Sequence, residues 1–239
     1  MALGQRTYLR MTNSVLRRLG KAQVTTLTGV SDDVDSWASI VKDTLNEAQQ
    51  EVYKEHDWST LFTTGTISST SARTYDLSTS FSNFGRELSL TTTTNDRVLT
   101  PVISVVELDQ DDPDLDDSGS PTHYHIAYPN LLFNKTPSSE TFRLRYIIRP
   151  TNLSANGDLS TLPEYCDMAL IWWSYWQLAA TREDATDGGK RAEEIYQSVL
   201  ARAIGQDKRR MDQTRVLRSV FPRYQRELVP FPPAYDINR

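Results

Sequence analysis

Apolar residues recur at helical spacing near the start of the chain. Tyr8, Met11, Val15 and Leu19 lie three and four apart, Leu16 widens the stripe, and Gly20 stands where a helix stop belongs. A Thr-rich loop over 24–30 leads to a second, longer helix. Ser31, Asp32 and Asp33 offer caps and favourable negative charge at its start. Val34, Trp37, Val41, Leu45, Ala48 and Val52 hold the helical period, which fades at His56-Asp57-Trp58.

From Leu61 the period drops to two. Leu61, Thr63, Gly65 and Ile67 open a Thr/Ser-rich β region. In the run Val98–Leu108 both alternating sets are mostly apolar, which predicts an interior strand, while Pro101 argues for a bulge or an edge. Tyr124, Ile126 and Tyr128 alternate with His123, His125 and Ala127. Phe142, Leu144, Tyr146 and Ile148 alternate with Arg143, Arg145, Ile147 and Arg149. Residues 61–150 thus predict an antiparallel sheet or small sandwich. It is interrupted by Asp109–Ser120, whose six Asp, one Pro and one Gly read as a solvated loop.

The helical period returns after Thr161. Thr161 and Glu164 match a capping box and Pro163 suits a first turn. Residues 166–180 are apolar nearly all round, with Trp172, Trp173, Tyr175 and Trp176, so this helix is central or lies in an interface. Thr186–Gly189 reads as a break. A fourth amphipathic helix follows on Ala192, Ile195, Tyr196, Val199, Leu200 and Ala203. The last stretch interleaves Arg215, Arg218, Arg223 and Arg226 with Phe221, Tyr224, Phe231 and Tyr235. Pro222, Pro230, Pro232 and Pro233 there predict an extended path. The fold class expected is α+β: an antiparallel helical bundle (1–60 and 161–206), an inserted antiparallel β module (61–160) and an extended C-terminal arm (207–239).

Charge sharpens this division. Residues 1–189 carry 15 basic and 25 acidic side chains, a net of −10, whereas 190–239 carry 11 and 6, a net of +5. The C-terminal segment is therefore built to meet an acidic partner, either nucleic acid or an acidic protein surface. Only 38% of residues are hydrophobic, which suggests that partners bury part of the surface. A single cysteine, Cys166, excludes an internal disulfide and reads as a small core hydrophobe. The first ten residues lack the apolar run of a signal peptide, and no stretch approaches the ~18 apolar residues of a membrane span.

Chemistry-bearing motifs are scarce. There is no Gly-rich phosphate loop and no G-x-S-x-G elbow. His123 and His125 share a strand face, a spacing that metal sites use, but with three histidines in all they read as packed or solvated. Asp112, Asp114 and Asp116 imitate the start of a calcium loop without its Gly and bidentate Glu. Glu51 and Asp57 could be posed as an acid–base pair, as could carboxylates on any helix of this composition. The Trp cluster reads as core, and Arg143, Arg145 and Arg149 as a solvated sheet face. Neither a catalytic residue, a metal nor a cofactor is expected. The tail stands out instead, because solvated disordered tails are poor in aromatics, and aromatics with Arg are the anchors of interfaces.

Several of these stretches resemble the head-to-tail adaptor (connector) proteins of tailed bacteriophages, and are similar to podovirus tail accessory adaptors. Tyr8-Leu9 through Leu16-Arg17-Arg18-Leu19-Gly20 resembles their opening helix. Asn46-Glu47-Ala48-Gln49-Gln50-Glu51, then His56-Asp57-Trp58-Ser59-Thr60-Leu61, resembles the end of their second. Thr74-Tyr75-Asp76-Leu77 is similar to their first β motif, with Ser78 where Pro is usual. Tyr146 to Pro150, Leu153-Ser154 and Leu162-Pro163-Glu164-Tyr165 resemble their return from sheet to helix. The likeness spans roughly 7–205 in order and spacing. It implies a non-enzymatic virion protein, made in the host cytoplasm, that forms a homo-oligomeric, commonly dodecameric ring at the head–tail junction. Its implied partners are the portal protein and downstream nozzle or fibre proteins, with genomic DNA passing through and no membrane. In several such adaptors an extended C-terminal arm docks on the portal. Here Arg215, Arg218, Phe221, Arg223, Tyr224, Arg226, Phe231 and Tyr235 would be its contacts. Two other classes fit the residues less fully: a nucleic-acid-binding protein using its basic tail, and a tail-associated cell-wall hydrolase.

Overall fold

The computed structural model describes residues 4–27, 37–180 and 186–227, with side chains from 188 to 212 in the last stretch. The cap residues Ser31, Asp32 and Asp33 lie outside the described residues.

Helix α1 spans Tyr8–Arg18. The Thr7 hydroxyl caps its start by accepting from the Arg10 N–H. It ends as the sequence predicts: Gly20 takes a φ of +68°, and the N–H groups of Gly20 and Lys21 return to the carbonyls of Arg17 and Leu16. Helix α2 spans Trp37–Glu55, and a short 3-10 turn at Ser59–Leu61 leads into the sheets. After the β region a second 3-10 turn, Glu164–Cys166, feeds α4 (Asp167–Ala180), and α5 runs Thr186–Glu227. Helix α4 packs against α1, α2 and α5. It is the central helix that its all-round apolar surface predicts, with Trp172, Trp173, Tyr175 and Trp176 half-buried against the helical core.

Two sheets fill the middle of the chain. The first has the order β1-β7-β3, from β1 (Phe62–Thr70), β7 (Glu140–Ile148) and β3 (Phe84–Thr92), all antiparallel. The second has the order β2-β6-β5-β4, from β2 (Thr74–Asp76), β6 (Asn130–Phe133), β5 (His123–Ala127) and β4 (Thr100–Pro101), with β4 parallel to β5. Ile67, Leu90, Phe142 and Leu144 of the first sheet share one core with Tyr124, Leu131 and Phe133 of the second. The Phe133 and Phe142 rings stack with centroids 4.6 Å apart. Of the two expected arrangements, the sandwich is the one present.

Strand β7 joins this core to the helices. Its inner face, Phe142 and Leu144, enters the β core. Its outer face begins exposed at Arg143 and Arg145 and ends buried at Ile147, which belongs to the helical core. At the same place Gly85 of β3 lies under α2: a Cβ there would fall 2.3 Å from the Tyr53 hydroxyl and 2.8 Å from the Ile147 carbonyl. The N-terminal segment is tied down from the other side. Gln5 donates to the carbonyls of Ser160 and Leu162, and the Arg6 N–H donates to the buried Asp167 carboxylate at 2.6 Å.

Four expectations are corrected. The run Val98–Leu108 is no interior strand. Val98 makes a single bridge to Thr91, Thr100–Pro101 forms a two-residue strand at the sheet edge where proline's missing N–H is harmless, and Ser104 then caps a short helix, α3 (Val105–Asp111). Its two apolar sets are not two buried faces, since Val98, Ile103 and Val106 are exposed. The Thr161/Glu164 capping box does not form: the Thr161 hydroxyl is buried without a partner, and the 3-10 turn intervenes. Thr186–Gly189 is not a break but the first turn of α5. Finally, the chain beyond 207 is helical to Glu227, through Pro222, and not extended. Strong helix formers at Lys208, Arg209, Arg210 and Met211 continue the helix, and Pro222 removes one backbone hydrogen bond without ending it.

Gly85→Ala forces a methyl into the backbone carbonyl of Ile147, which no rotamer change relieves, so chemical denaturation should show a loss of about 2–3 kcal/mol. Asp167 carries a signature in pH. Burial, partly offset by the Arg6 N–H and charge, raises its carboxyl to about 6, from an ordinary value near 3.8. Protonation therefore favours the fold. That contribution is complete below the lower value and lost as pH rises through about 6. Asp167→Asn should match the wild type near pH 4 and exceed it by up to about 2–3 kcal/mol above pH 7, as read from paired thermal melts across that range.

Candidate functional site

The apolar stripe of α5 runs Ala192, Tyr196, Leu200 and Ala203, all buried, and its next member is Asp207. A carboxylate there is fully desolvated unless it is bonded, and Asp207 is 0% exposed. It accepts from the Ser59 N–H at 3.0 Å, the Ser59 hydroxyl at 2.6 Å and the Tyr165 hydroxyl, and it meets His56 Nε2 at 3.1 Å. Burial opposes its ionisation. The bonds from Ser59, Tyr165 and His56 outweigh burial and hold the carboxyl below its usual range. Tyr165 moves the other way: burial and its bond to Asp207 push the phenol up. The Trp58 ring, held by its N–H on the Val52 carbonyl at 2.8 Å, packs edge-on against His56 and tilted against Tyr165. Three elements thus converge on one carboxylate: the turn after α2, the turn before α4, and α5.

A second polar set holds the segment that returns from β7 to α4. Asn46 donates to the Leu153 carbonyl and accepts from its N–H, at 3.1 and 2.8 Å, as a paired strand would. Gln49 donates to the Thr151 carbonyl and accepts from the Ser160 hydroxyl, both at 2.7 Å, and Gln50 donates to the Pro150 carbonyl at 3.0 Å. The side chains of one face of α2 thereby satisfy a stretch of irregular backbone that has no ladder of its own.

The other candidates resolve by geometry. His125 Nδ1 meets the Val102 carbonyl at 2.9 Å and His123 Nδ1 meets the Thr122 hydroxyl at 2.8 Å, so β5 uses its imidazoles locally. Asp112, Asp116 and Asp117 bring carboxylate oxygens within 4.8 Å of one another. Asp112 is buried against Arg73, and Asp117 faces Lys135 at 3.0 Å, so cations of the chain already compensate two of the three. Glu51 pairs with Lys54 at 2.6 Å and Asp57 with Arg86 at 2.5 Å, so the two do not form a joint site. The buried Cys166 thiol is pushed up, by burial first and then by Asp167 and Asp207. Among the described residues no helix is long and apolar enough to cross a membrane.

Among the described residues, open surfaces lie beside the Asp207 anchor and on the β module. Beside the Asp207 anchor, His56, Asp57, Phe62, Lys208, Met211 and Asp212 line a hollow of about 460 Å³. On the β module, Ile103 is 91% exposed, Val98 63% and Val106 61%, around α3. Of the arm residues, Arg215, Arg218, Phe221, Arg223, Tyr224 and Arg226 lie on the α5 backbone helix, and Phe231 and Tyr235 lie outside the described residues. Asp207 and its partners do not emerge from motif reading. The signal for them is an acid on an apolar stripe, which requires buried donors.

Asp207→Ala strands the Ser59 and Tyr165 donors and should cost about 3 kcal/mol in chemical denaturation. Amide exchange should accelerate first in α5, since its tie to the two turns is lost.

A search of curated proteins returned no match. A family model described as SU10 adaptor protein matches residues 6–222, from the N-terminal ties through most of α5, so the chain belongs to that family and is a structural bacteriophage adaptor.

Proposed function

We propose that the protein is a head–tail adaptor of the podovirus accessory type. Copies form a ring, dodecameric in the form the resemblance implies. The ring joins the portal of the filled capsid to the tail and lets DNA pass, with the C-terminal arm docking on the portal. The observation that carries this reading is the Asp207 anchor. It fixes α5 to the bundle, and twenty further helical residues, Lys208–Glu227, follow it. At 1.5 Å per residue that is a rigid lever of about 30 Å. It bears Arg215, Arg218, Phe221, Arg223, Tyr224 and Arg226, and Phe231 and Tyr235 follow it in sequence. Guanidinium groups suit carboxylates in bidentate pairs, and aromatics supply apolar anchors. The conduit itself must not grip phosphates, because tight contacts would hold the DNA back, so its lining is acidic or neutral. The net of −10 over residues 1–189 supports that.

The test is truncation after Asp212, which keeps Asp207 and its partners. The shortened chain should melt within a few degrees of the full chain, yet fail to join portal-bearing heads. Wild-type occupancy on those heads would exclude the arm as the docking element.

A further inference from the structure

We propose that the basic cleft of α1 receives the acidic α3 loop of an adjacent copy, making a head-to-tail contact between subunits. This rests on the ring reading above. No acid occurs before Asp32, while Arg6, Arg10, Arg17, Arg18 and Lys21 give the first 31 residues a charge of +5. These charges are not dispersed. Arg6, Arg10 and Arg17, with Asn13 and Ser14, line one concave surface of about 400 Å³. Arg10 and Arg17 are exposed, and neither makes an ion pair among the described residues. Their neighbour Arg18 lies over the half-buried Trp172 ring at 4.7 Å. Its guanidinium is less basic than usual, through burial first and then the Arg17 and Arg6 charges, so the cleft concentrates positive charge. Asp167 offsets part of it at Arg6, but among the described residues no ion pair offsets it at Arg10 and Arg17.

The α3 loop is its complement. Arg73 and Lys135 compensate Asp112 and Asp117, but Asp109, Asp114 and Asp116 are exposed and take no cation of the chain among the described residues. Beside them stand the exposed apolar side chains Ile103, Val106 and Leu115. An acidic knob with an apolar flank thus matches an arginine cleft with an aromatic flank. A ring closes only through a heterologous interface, in which two different patches of one chain complement each other, and these two are opposite in sign. Phosphates would also suit the cleft, but they leave the exposed acids and apolar residues of α3 unexplained.

Reciprocal charge exchange decides it. Association of full-length protein is measured at low salt by sedimentation velocity, and occupancy is measured on portal-bearing heads. Arg10→Glu/Arg17→Glu and Asp114→Lys/Asp116→Lys should each weaken association at least about tenfold, and the fourfold variant should recover most of it. A fourfold variant as weak as either half overturns the pairing. So does a wild-type ring indifferent to both exchanges, which leaves the ring reading standing. Wild-type protein that stays monomeric even on heads overturns the ring reading and this contact with it. Exchange in the cleft that abolishes duplex DNA binding while association is unchanged makes the cleft a phosphate site and overturns the proposal.

Discussion

A carboxylate buried in a helical core stays charged at low cost only when its oxygens are bonded, and Asp207 meets that condition where Asp167, with one oxygen unpartnered, does not. Ser59 supplies a backbone and a hydroxyl donor, Tyr165 a second hydroxyl, and His56 a ring nitrogen. None of these lies on α5, so the bonds that satisfy the acid also lock the helix to two turns distant in sequence. An apolar residue at 207 would bury as well but would allow the helix to slide or rotate. Hydrogen-bond geometry does not. The bonds at Asp207 thus add a directional tie to the packing of Ala192, Tyr196, Leu200 and Ala203.

The same economy of buried polar groups joins the two cores. Strand β7 changes what its outer face touches, from solvent at Arg143 and Arg145 to the helices at Ile147. Tyr53 rests on Gly85 one strand away. Between this seam and α4 the backbone over 150–160 is irregular, and Asn46, Gln49 and Gln50 of α2 take the place of a neighbouring strand. The sandwich is thus held to the bundle by specific contacts at β7 and β3 and along the return segment.

Much of this was legible where period and chemistry agree. The stripe on α1, its Gly20 stop, the centrality of α4 and the inward Phe142 and Leu144 of β7 all follow from spacing alone. Reading failed where local patterns are degenerate. Val98–Leu108 alternates apolar residues on both sides, which fits a buried strand and equally an exposed turn and helix; only the absence of a second layer over Ile103 distinguishes them. Pro222 removes one backbone bond, which the strong helix formers N-terminal to it outweigh. The motif residues near His56 and Tyr165 were visible as a resemblance, but their purpose was not, because it depends on an acid some forty residues beyond Tyr165.

The low apolar fraction now has a physical account. Amide and hydroxyl side chains make the joints at the return segment and at Asp207, and part of the apolar supply, at Val98, Ile103 and Val106, is left on the surface. A monomer gains nothing from exposing Ile103 almost completely beside acids that take no cation among the described residues. A subunit whose neighbours cover that surface does, and for such a subunit rigid polar joints have a further advantage. They fix the angles between arm, bundle and sandwich, and in the proposed ring an angular error in one copy would be repeated at every step.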